Sequence, residues 1–137
     1  MHRILIFILL TAFSCTNAQK INSSYGYFDK DGRYMELYLT TDTIYICAAE
    51  IPIIKKFSFR RENGVLKLYS ESNQIGTIEL KQEDNDRTQI TIQNNEYLGY
   101  NIKDTIHLSY YYSNDKKLLD EFVHALLFRQ QKFEMQK

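Results

Sequence analysis

The 137-residue chain has no tryptophan, one proline, five glycines and two cysteines. So little proline and glycine excludes a collagen-like, linker-like or low-complexity chain. The 17 basic residues balance 17 acidic ones, so no long-range field favours nucleic acid or an anionic membrane surface. No apolar run approaches the roughly twenty residues that a transmembrane helix needs. Two cysteines are too few for a disulfide framework. What the chain has in quantity is aromatic: 11 tyrosines and eight phenylalanines, in a length that suits one domain with a substantial core.

The opening stretch "MHRILIFILLTAFSC" stands apart. His2 and Arg3 precede an unbroken apolar run from Ile4 to Leu10, and small residues follow. A basic start, a short apolar centre and a small-residue exit predict an export signal. The end of it, "TAFSC", resembles the lipobox of bacterial lipoproteins, in which the cysteine is acylated and becomes the new N-terminus. The resemblance implies a signal peptide over 1–14, a lipid anchor on Cys15 and membrane attachment through that lipid. Thr16, rather than aspartate, follows the cysteine, which implies an outer-membrane lipoprotein facing the periplasm. A cut after Ala18 in "TNAQ" is the competing site, and it gives a soluble periplasmic or secreted protein. By either route Cys47 is left alone. It sits in the apolar stretch "IYICA", which predicts a buried, unreactive thiol. Residues 15–24 are polar and unpatterned and read as a spacer before a single domain over 25–137.

From Tyr25 onward the hydrophobic period is two. "RYMELYLT" alternates Met35, Leu37 and Leu39 with Tyr34, Glu36 and Tyr38, and "TIHLSYYY" sets Ile106, Leu108, Tyr110 and Tyr112 against His107, Ser109 and Tyr111. Similar runs recur between turn signals, among them "DKDG" at 29–32 and "ENG" at 62–64. The pattern predicts a mainly β fold: an antiparallel meander of eight or nine strands in a small barrel or sandwich. The presumed inward set is Met35, Leu37, Leu39, Ile44, Ile46, Phe57, Phe59, Leu66, Leu68, Ile78, Leu80, Ile90, Ile92, Leu98, Tyr100 and Ile102, continuing through the 106–112 run. The last segment changes period. Leu118, Leu119, Phe122, Val123, Leu126 and Phe133 line one side of an amphipathic helix over 114–134, with Asp120, Glu121, His124 and Phe128 toward the other.

Hairpins that end in a helix resemble two families. In the lipocalin-like (calycin-type) barrels of small bacterial lipoproteins, the C-terminal helix lies against the outer wall. In the pleckstrin-homology-like barrels it plugs one end. "IPIIKKFSFRRENGVLKLYSESNQIGTIEL" is similar to the central hairpins of the lipocalin-like family, and "YGYF" at 25–28 stands where that family has Gly-x-Trp. That resemblance implies binding of a small apolar or amphipathic ligand.

Chemistry is sparse in the sequence. The presumed interior holds no charge and no histidine, and enzyme sites need convergent acid, base or nucleophile groups. His107 and His124 fall on polar faces, and no metal-ligand spacing occurs. "DKDG" lacks the third ligand of a calcium loop. No catalytic, cofactor or metal residue is assigned, and no nucleic-acid partner. "KKFSFRR" reads as charge on a solvated strand that blocks edge pairing. Tyr34, Tyr38, Tyr45, Tyr69 and Tyr111 all fall on the nominal outer face. Together they make either a seat for the helix, the favoured reading, or a surface for a ligand or partner. The expected function is a non-catalytic envelope protein that binds a small apolar ligand. The alternative is an interaction module that binds another envelope protein.

Overall fold

The computed structural model describes residues 20–137, so the signal peptide, both cut sites and Cys15 lie outside the described residues. Eight strands follow one another around a closed antiparallel barrel: β1 (Ser23–Phe28), β2 (Tyr34–Leu39), β3 (Thr43–Ala48), β4 (Ile53–Glu62), β5 (Val65–Ser70), β6 (Asn73–Gln82), β7 (Arg87–Ile92) and β8 (Asn95–Asn101). A short helix, α1 (Leu108–Tyr111), and a long one, α2 (Lys116–Glu134), complete the chain. Closure is made by β1 against β8, with Tyr25 opposite Asn101 and Tyr27 opposite Gly99.

The tight turns follow their residues. In "DKDG", Asp29 Oδ1 accepts the backbone N–H of Asp31 and of Arg33, each at 2.9 Å, and Gly32 takes φ 80°. The β4–β5 turn puts Asn63 and Gly64 at φ 51° and 78°, the paired positive values of a two-residue hairpin turn. Gln93 and Asn94 do the same between β7 and β8. Helix α2 begins where Asp115 accepts the N–H of Lys117 at 2.9 Å, two residues later than the periodicity predicts.

Inside the barrel, Leu37, Ile44, Ile78 and Ile90 are 0% exposed and Leu66 is 1% exposed. Tyr27, Leu39, Phe59 and Leu68 join them in one cluster, with Met35, Ile46, Phe57, Leu80 and Ile92 packed against it. The predicted inward face therefore holds from β2 through β7. In β8 it is inverted. Tyr97 lies opposite Ile90 and Gly99 opposite Thr88, so Tyr97 and Gly99 face in. Tyr100 and Ile102 belong to the cluster outside the barrel wall, and Leu98 is exposed. The physical reason is space: a Cβ on Gly99 would stand 2.5 Å from the Ile90 Cδ1.

Two further expectations are corrected. The segment 106–112 is not a ninth strand. Once β8 has paired with β1 no sheet edge remains for it, so it crosses the outside of the wall and buries Ile106 and Leu108 there, ending in α1. Nor is "KKFSFRR" an edge: β4 is paired with both β3 and β5. Its cations instead lie over aromatic rings, Lys56 over Tyr45 at 5.9 Å and Arg60 over Tyr69 at 5.2 Å.

Candidate functional site

Helix α2 lies on the outer wall of the barrel rather than across an end. Phe122 meets Tyr38 edge-on at 6.4 Å and Tyr111 at 5.6 Å. Phe133 stacks on Tyr100 at 4.8 Å and tilts against Tyr34 at 6.2 Å. Leu126, 0% exposed, fills the space between them in the same cluster. His124 and Glu121 are exposed.

Of the five tyrosines, Tyr34, Tyr38 and Tyr45 are thus covered and form the helix seat, not a free surface. The apolar stripe of α2 needs matching area, and these rings supply it. Tyr111 is half-buried in α1, where its hydroxyl accepts the Ile54 N–H at 3.1 Å. Tyr69, half-buried under Arg60, is on β5 and outside this cluster.

At the middle of the seat is a buried polar group that the sequence pattern leaves unmarked. Glu36 points outward from β2 between Tyr34 and Tyr38, and it is 0% exposed because α2 covers it. Arg129 comes down from α2 and grips the carboxylate with two parallel bonds, Nε to Oε1 at 2.7 Å and one Nη to Oε2 at 2.9 Å. The Tyr34 hydroxyl donates to Oε1 at 2.7 Å, and the Tyr38 hydroxyl donates to Oε2. Tyr34 reaches this position over Gly26, where a Cβ would stand 2.3 Å from its hydroxyl oxygen. Four donors on two oxygens leave the carboxylate satisfied, which a buried charge requires. Burial and then the Glu36 charge hold both phenols above their ordinary pKa. Burial pulls the Arg129 guanidinium down, but the Glu36 bonds outweigh it and keep the group charged.

Cys47 lies in the same cluster and is fully buried. Burial, assisted by the Glu36 charge, pushes its thiol up to about 12. His107 is exposed and stacks on Tyr110 at 4.6 Å. It borders a small depression of 230 Å³ with Glu121, Phe122 and Arg129, and it forms no hydrogen bond to a carboxylate among the described residues.

The opposite side of α2 is not uniformly polar. Phe128 is 67% and Leu127 45% exposed, and Met135 beyond the last turn is 80% exposed. Helical spacing places them on the side away from the barrel, around His124 and Gln131. Leu127 stands outside both sides named from the periodicity.

Fold and seat together define an eight-stranded up-and-down barrel with a C-terminal helix clamped to its outer wall by a buried carboxylate–guanidinium pair. No protein-family model, no curated protein and no solved structure matches the chain.

Proposed function

We propose that the protein is a non-catalytic, lipid-anchored envelope protein of lipocalin-like build that binds another envelope protein through its exterior. The observation that carries this reading is the filled barrel. Side chains that are 0% exposed, Leu37, Ile44, Ile78 and Ile90, leave no water-sized space against them, which supports binding elsewhere than among these four. The outward side of α2 supplies a contact surface instead. Two adjacent large apolar residues, Leu127 and Phe128, stand among polar neighbours on a helix whose other side is already seated, the mix found in protein interfaces. The "TAFSC" stretch supports acylation of Cys15 and tethering to the outer membrane. Mass spectrometry of the mature N-terminus tests it: an acylated Cys15 is expected, and an unmodified chain starting at Gln19 contradicts it.

A small apolar ligand is the second reading. Met35, Ile46 and Phe57 belong to the interior but are only half-buried, near the end that carries the β1–β2 and β3–β4 turns. Titration with an apolar fluorescent probe, 1-N-phenylnaphthylamine, separates the two readings. Binding through the exterior predicts no saturable site with one probe per chain. Saturable binding that Phe57→Ala weakens returns the function to the barrel mouth.

A further inference from the structure

A groove of 520 Å³ runs along the seam between the C-terminal half of α2, the β6–β7 turn and the segment after β8. Arg129 forms part of its wall. That residue is 4% exposed and gives Nε and one Nη to Glu36. Its other Nη makes no hydrogen bond among the described residues. No buried side-chain nitrogen or oxygen lacks a partner among the described residues, so this nitrogen is open to solvent, and Arg129 borders both this groove and the 230 Å³ depression beside His107.

Two more cations line the groove without an ion pair among the described residues, Arg87 and Lys132. The aspartates beside them are mostly occupied. Asp84 Oδ1 accepts the N–H of Asp86 and of Arg87, each at 2.8 Å, and shapes the turn. Asp86 takes the Lys103 ammonium. Neither Asp84 nor Asp104 has a cation on it among the described residues. The Asp86 carboxyl is held below its ordinary pKa by Lys103 first, and also by the charges of Arg87 and Lys132.

We propose that this groove binds a small soluble ligand through an oxyanion, a carboxylate or a phosphate, held by the open Nη of Arg129 with Lys132 and Arg87 on either side. A guanidinium fixed by a carboxylate behind it presents its remaining N–H groups in one orientation, which suits a planar or tetrahedral oxyanion. Such a ligand would touch helix and barrel at once and so hold α2 in its seat. The inference is independent of the partner surface on the other side of α2.

The test is thermal unfolding of the full chain with inorganic phosphate or succinate, against sodium chloride at matched ionic strength. A saturable rise in the midpoint with at least one of the two anions, absent with chloride, is expected. The double variant R87Q/K132Q leaves the Glu36–Arg129 pair intact and should weaken that binding at least tenfold. A rise equal to that of chloride, or one unchanged in the double variant, overturns the proposal. A circular dichroism spectrum matching the parent shows that the variant is folded.

Discussion

Glu36 and Arg129, 93 positions apart in the chain, meet as a two-bond fork with neither side chain more than 4% exposed. The contact ties the last helix to the second strand and sets its rotation and its position along the wall. Removing one partner leaves the other charge buried. Arg129→Met should therefore cost about 3–5 kcal/mol of stability. Adding Glu36→Gln to it should recover part of that loss, since no full charge is then stranded. Urea unfolding of the two single variants and the double variant measures this as a coupling energy. Simple additivity would mean that the pair does not hold the seat.

The filled interior makes a second expectation. Phe59→Ala removes a ring that is 7% exposed among the interior side chains and should cost about 3–5 kcal/mol. Gly99→Ala changes far fewer atoms, yet it places a methyl group 2.5 Å from Ile90 Cδ1 and 2.7 Å from the Thr88 carbonyl oxygen. The backbone oxygen cannot turn aside, so overpacking of about 1–3 kcal/mol is expected. Chemical denaturation of both variants checks it, and an unaffected Gly99→Ala would mean that the wall is slack at β8.

These contacts also mark how far the sequence could be read. Strict alternation identified six interior strand faces, β2 through β7, because a strand with one buried side must alternate. It failed at β8, where an inward glycine carries no hydrophobic signal and the outward Tyr100 and Ile102 do. It failed again at 106–112, since only the closure of β1 on β8 shows that no edge was left to pair. Helical period identified the stripe through Phe122 and Leu126, and the tyrosine seat with it. Arg129 falls on that stripe, three residues after Leu126 and four before Phe133, and Glu36 falls between two seat tyrosines. One cation and one anion on two surfaces that must meet were a readable signal. Reading each face alone leaves both residues unmarked.

The thiol of Cys47 gives a pH dependence. Its ordinary pKa of 9.0 is raised to about 12 by burial and by the nearby Glu36 charge. The unfolded chain then releases the proton at a lower pH than the folded one does. The contribution to stability is full below about pH 9 and declines as pH rises toward 12, by up to about 1.4 kcal/mol per unit. The raised phenols of Tyr34 and Tyr38 add to the decline above pH 10. Urea midpoints between pH 8 and 11 should fall for the parent and fall less steeply for Cys47→Ala. A thiol reagent at pH 8 should label Cys47 only after unfolding.

Binding through the exterior is tested most directly by a photoreactive amino acid at position 128, in intact cells with the full chain. Phe128 is 67% exposed on α2, and Glu79, exposed on β6, serves as the control position. The expected result is one discrete crosslinked protein from position 128 and none from 79, with the adduct lost when Leu127→Glu is added. A crosslink only to a second copy of this chain would replace the partner by self-association. No adduct from position 128, with the folded protein present at normal levels, would contradict the account.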